Sequence, residues 1–103
     1  MAQPYKSTPV FDEYSLPAGL RRDHSTKAGV WGVIRVREGE LLFERAGETR
    51  TLTPAAPALV LPEEKHRVEP LGAMRMQVDF YHMEPDLSSA SSPPRPSLFT
   101  PSP

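Results

Sequence analysis

Apolar positions along this chain recur with a period of two, and in short runs. Over residues 29–37, GVWGVIRVR, Val30, Ile34 and Val36 fall on one face of an extended strand, and Trp31, Val33, Arg35 and Arg37 on the other. Residues 73–82, AMRMQVDFYH, repeat the pattern, with Met74, Met76, Val78 and Phe80 set against Arg75, Gln77, Asp79 and Tyr81. Between them lie ELLFE (40–44), TRTLT (49–53), ALVL (58–61) and HRVE (66–69), short strand-like runs bounded by turn residues. Glu38-Gly39 predicts a tight turn from which ELLFE returns, and Ala46-Gly47 a second one. Pro62 ends the ALVL strand, because proline cannot donate to a sheet ladder. No window of a dozen residues carries the i, i+3, i+4, i+7 stripe of an amphipathic helix. Seven or eight short strands predict an all-β barrel or sandwich. So small a sheet manages its edges by closing on itself or by pairing with a second copy, so a homodimer is expected.

The length of 103 residues fits one domain. Six of the thirteen prolines fall at or after Pro85, and the stretch SSASSPPRPSLFTPSP has little to bury. The folded unit is therefore expected over residues 3–85, with residues 86–103 a disordered tail. In an alternative reading the tail is a strap whose Leu98 and Phe99 dock on a partner subunit. The net charge of −1, with both signs interspersed, gives no basic stripe for nucleic acid or for an anionic membrane. The absence of cysteine excludes disulfides, thiolate metal sites and cysteine nucleophiles. With no long apolar run and no secretory leader pattern in MAQPYKSTPVF, the expected location is the cytoplasm.

The chemistry rests on few residues. No glycine-rich phosphate loop follows a strand, and the serines cluster in the tail away from any base. Neutral imidazole is the commonest protein ligand for transition metals, and the chain has His24, His66 and His82. His24 and His66 stand forty-two residues apart, so spacing alone does not join them. Each reads equally as a half-buried strand residue bonded to backbone. His82, at the end of the last strand, is expected at the surface or an interface. Glu63, curling back from its loop, or Asp79, if it faces a barrel interior, would add a third donor. Two imidazoles and one carboxylate leave open positions on a metal. The alternative is that the carboxylates are solvated or paired with Arg67 and Arg75. Trp31 is either core or pocket wall. Arg22 shares strand parity with His24 and is placed either to hold an anion or at the surface.

The order of features, DHSTKAGVWGVIRVREGELLFE followed by LPEEKHRVEPLGAMRMQVDFY, resembles the small cupin-like domain at the N-terminus of the tellurite-resistance methyltransferase TehB. The free-standing YeaR-like proteins look similar. The resemblance runs from about Pro9 to Tyr81. It is carried by His24-x-x-Lys27-x-Gly29-x-Trp31-Gly32, by the turn at Gly39, and by Pro62-x-x-x-His66-Arg67-Val68-Glu69. It implies a cupin-type double-stranded β-helix, a jelly-roll barrel that turns His24 and His66 into one pocket. A full cupin metal motif has a second histidine two residues after the first and a glutamate several residues later. Here those places hold Thr26 and, approximately, Trp31. A methyltransferase part like TehB's is not expected here, nor S-adenosylmethionine chemistry with it.

Three functions follow as expectations. The first is a cupin-like protein binding a divalent metal (zinc, iron or nickel) or a small anionic ligand, linked to tellurite or nitrosative stress. Its metal ligands would be His24, His66, Glu63 and Asp79, with Arg22 and Trp31 lining the pocket. The second is a metal-dependent hydrolytic or dioxygen-activating enzyme, and the third a ligand-free dimerisation scaffold.

Overall fold

The computed structural model describes residues 3–85 and 87. The tail expected over residues 86–103, with Leu98 and Phe99, lies outside the described residues except for Leu87. Among the described residues there are eight strands, one 3-10 turn and no α-helix: β1 Lys6–Ser7, β2 Phe11–Asp12, the 3-10 turn Ala18–Arg21, β3 Trp31–Glu38, β4 Leu41–Arg45, β5 Glu48–Leu52, β6 Ala58–Val60, β7 Arg67–Pro70 and β8 Arg75–Tyr81. No helix among them is long and apolar enough to cross a membrane.

The strands form two antiparallel sheets. In the first, β8 lies between β1 and β3, β6 flanks β3, and β2 pairs with a further part of β8. In the second the order is β5-β4-β7. Strand pairing does not close the two sheets into one barrel. They share a core instead. Ile34, Val36, Ala58, Val60, Met76 and Val78 from the first sheet pack with Leu41, Phe43, Leu52 and Val68 from the second. Each side chain of this size contributes roughly 1.5–3 kcal/mol on full burial. The period-two pattern of β3 and β8 decides which residues these are.

The two turns singled out in the sequence behave differently. At Ala46-Gly47 both residues have positive φ, 47° and 80°, and Arg45 pairs with Glu48 across a two-residue hairpin. After Gly39, by contrast, ELLFE does not return along β3. It crosses to the second sheet, where β4 pairs with β5 and β7. Gly39 has φ +76°, and a Cβ there would lie 2.2 Å from the Ala73 carbonyl oxygen and 2.9 Å from Met74 Cα. Only glycine permits that approach without moving backbone.

Alternation also sets two neighbouring rows across the first sheet. Lys6, Phe80, Gly32 and Val60 lie side by side over β1, β8, β3 and β6, and the next row is Ser7, Asp79, Val33 and Leu59. Adjacent residues of a strand point to opposite faces, so one row looks inward and the other out.

Candidate ligand pocket

His24 and His66 meet across an isolated antiparallel bridge at the outer edge of the second sheet. His24 N–H donates to the His66 carbonyl at 3.0 Å, and His66 N–H donates back to the His24 carbonyl at 2.9 Å. Residues that exchange both bonds stand directly opposite, with their side chains on the same side of the sheet. The two imidazole centroids are therefore only 4.0 Å apart, with ring planes 57° from each other. Thr26 fastens the same stretch: its Oγ1 donates to the Leu61 carbonyl at 3.3 Å, and its own carbonyl accepts from Glu63 N–H at 3.2 Å.

Each ring is held by its own chain. Nδ1 of His24 lies 3.0 Å from the Arg22 carbonyl, and Nδ1 of His66 lies 2.9 Å from the Glu64 carbonyl. A carbonyl oxygen only accepts, so each Nδ1 carries the proton and each neutral ring keeps its lone pair on Nε2. Neither Nε2 bonds another described group. Among the described residues no side-chain nitrogen or oxygen is both sealed from solvent and unpartnered, so His66 Nε2 is reachable although the residue is 4% exposed. Burial pushes the His66 pKa below the usual histidine value. The neighbouring His24 and Arg45 act in the same direction, and the Glu64 carbonyl and carboxylate oppose them. The ring also packs against Phe43, with centroids 5.9 Å apart.

Both rings line a cavity of about 290 Å³ between the sheets. Its floor includes the inward row, Lys6, Phe80, Gly32 and Val60, and apolar walls come from Leu20, Val30, Ile34, Val68, Met76 and Val78. Polar groups come from Tyr5, Thr8, Ser25 and Thr26, and among the described residues the only ionic side chains lining it are Lys6 and Lys27. Among the described residues no carboxylate lines it.

The other residues singled out in the sequence lie elsewhere. Glu63 is exposed at φ +64°, tied to Thr26 through its backbone, and its carboxylate does not reach His66 as the curl of the loop suggested. Asp79 points to the opposite face of β8, where its carboxylate accepts from Ser7 Oγ at 2.7 Å and Arg35 Nε at 2.8 Å. Trp31 does not line the cavity, because its strand neighbours Val30 and Gly32 take the inward positions. Arg22 is exposed beside Arg21, Asp23, Lys65 and Arg67 in a separate outer groove, since the chain there is extended only locally. The carboxylates near His66 are paired, chiefly with arginines other than the Arg67 and Arg75 of the alternative: Glu64 with Arg45 at 2.8 Å and Glu69 with Arg21, Glu69 also lying 3.9 Å from Arg67. His82 is exposed and stacks on Tyr5, with centroids 3.8 Å apart and planes 8° from parallel. Among the described residues no three His, Asp or Glu side chains gather as a metal site. The residues that sequence reasoning passed over are Gly32, Lys6, Thr26 and Lys27. Gly32 had a signal, a glycine within a strand pattern that shares parity with Val30 and Ile34.

The profile of the TehB-like domain matches residues 6–78, more than half of the chain. The chain belongs to the TehB-like family. Of solved structures, TehB from Haemophilus influenzae is 31% identical to it and superposes with a TM-score of 0.72 over 86% of this chain. The chain corresponds to 34% of TehB's own length. A protein from E. coli strain K12 is 22% identical, with a TM-score of 0.69 over 82% of this chain and 93% of that one, a likeness of fold. No curated protein matches the chain.

Proposed function

We propose that this TehB-like domain is a small-ligand binder whose pocket receives an anionic group together with a proton, which the anion shares with Nε2 of His24 or His66. The observation that carries the reading is the pair of imidazoles, 4.0 Å apart, whose Nε2 atoms have no partner among the described residues, are free to take the proton of an acid, and open on a cavity lined by no carboxylate among those residues. Lys6 and Lys27 are its only ionic side chains among the described residues, so the field across the cavity favours negative charge. On this reading the two facing sheets are an open form of the cupin-type jelly roll. A link to tellurite or nitrosative stress belongs to the same proposal and rests on family membership.

The same tautomers support a second reading. Two Nε2 lone pairs, each set by a carbonyl on the other ring nitrogen, are what a metal ion takes from histidines. With Glu63 and Asp79 elsewhere, the described residues do not supply the three protein donors of a complete site. A metal here would draw its other donors from outside the chain.

Calorimetric titration of the whole chain with tellurite, phosphate, acetate, zinc and nickel, alongside a His24→Ala/His66→Ala double variant, decides between them. Binding of an anion by metal-free protein, lost in the double variant, is the expected result. Anion binding only after zinc or nickel is loaded would favour the second reading. No binding of any probe, or equal binding by the double variant, overturns both.

A further inference from the structure

We infer that the natural ligand is an amphipathic anion, a carboxylate on an unbranched aliphatic chain of about ten non-hydrogen atoms, rather than a compact inorganic oxyanion. The inference rests on the pocket reading above and adds the ligand's shape and class.

Three observations carry it. First, polar and apolar groups are unequally distributed. The two lysines can meet one anionic head and a histidine Nε2 the proton it brings, but the floor and walls are hydrocarbon: Ile34, Val60, Met76, Val78 and Phe80. A compact, fully hydrated oxyanion would leave that surface against water, whereas an aliphatic chain removes both apolar surfaces from water together. Second, the space is too large for the head alone. The cavity of about 290 Å³ equals roughly ten waters at their liquid volume of about 30 Å³ each. Third, the room depends on one residue. Gly32 sits in the floor between Phe80 and Val60, and a Cβ there would touch Val60 Cβ at 3.6 Å, Thr26 Cγ2 at 3.8 Å and Val78 Cγ1 at 3.8 Å. A methyl group fits in ordinary contact, and anything longer grows into the cavity. A glycine inside a strand, where a β-branched residue packs better, marks a place where something else approaches the backbone.

The test is a chain-length series. Acetate, butyrate, hexanoate, octanoate and decanoate are titrated into the whole chain by calorimetry, with phosphate as the compact comparison. Affinity is expected to rise roughly three- to fourfold for each added methylene as far as octanoate, then to level off once the cavity is full. In Gly32→Leu the series flattens, and in Gly32→Ala the plateau comes earlier in the series. Circular dichroism and a thermal melt confirm that both variants keep the β fold. Should Gly32→Leu fail to fold, Gly32→Ala alone carries the steric arm. A flat series, with phosphate binding as tightly as octanoate, overturns this inference and leaves the anion-binding pocket standing. Octanoate binding unchanged by His24→Ala/His66→Ala, or no binding of any anion, overturns both.

Discussion

Two rows of residues cross the first sheet one position apart and face opposite ways. Outside, Asp79 is one of two buried polar residues among those described, and its carboxylate is fully engaged by Ser7 and Arg35, with Arg35 also reaching the Tyr81 hydroxyl at 3.4 Å. Inside, the row holding Gly32 floors the cavity onto which the other buried polar residue, His66, opens with one nitrogen unpartnered. A buried polar group whose bonds are all made stabilises the fold and offers nothing to a ligand. One whose bonding is half made is costly unless something arrives to complete it. The difference between Asp79 and His66 is therefore one of saturation, since both are nearly sealed from solvent.

The largest effect is expected on the saturated side. Asp79→Ala leaves the Arg35 guanidinium, 28% exposed, without its anion and Ser7 without its acceptor. Urea denaturation should show a loss of about 2–3 kcal/mol. Ligand affinity should stay within about twofold, and a parallel fall in affinity would mean that the rows are not independent. His66→Ala comes next. It removes a buried ring packed on Phe43, at about 2 kcal/mol of stability, and lowers ligand affinity at least about tenfold. His24→Ala separates the two effects. Its ring is half-buried, so stability should change by less than about 1 kcal/mol while affinity still falls about tenfold. Equal affinity in wild type and His24→Ala would remove the ring pair from recognition.

A smaller effect distinguishes the rows by pH. The His66 pKa lies below the usual histidine value of about 6.5, chiefly through burial. An unfolded chain takes up that proton nearer 6.5, so between the two pKa values the unfolded state binds more protons. Stability is then full above about 6.5 and declines as pH falls toward the folded value. Melting temperatures measured from about pH 7.5 down to about pH 5 should fall more steeply in wild type than in His66→Ala. Identical slopes would show that this ring does not titrate with folding. The smallest effect is Ser7→Ala, a loss of roughly 1 kcal/mol or less, because the hydroxyl is exposed and Arg35 still holds Asp79.

The strands were legible because their pattern is local. Alternation placed β3 and β8 and separated their two faces, and runs bounded by turn residues placed β4 to β7. The destination of β4 was not legible, because turn chemistry at Glu38-Gly39 says that the chain reverses and not toward which sheet. That choice is tied to a long-range contact, Gly39 against Ala73 and Met74. The meeting of His24 and His66 depends on two backbone hydrogen bonds across forty-two residues, which no spacing rule contains. Trp31 is another matter. Its parity already set it opposite Val30 and Ile34, and that alternation outweighs the aromatic character that suggested a pocket wall. Lys6 was invisible for the reverse reason, since a strand of two residues is too short to show a period.

Because each histidine holds the other's amide, the groups that meet the ligand also latch the segment before β3 onto the edge of the second sheet. An occupant spanning both rings tightens that latch. Deuterium uptake at just these two peptide nitrogens should then slow as the cavity fills, making the backbone its own occupancy gauge.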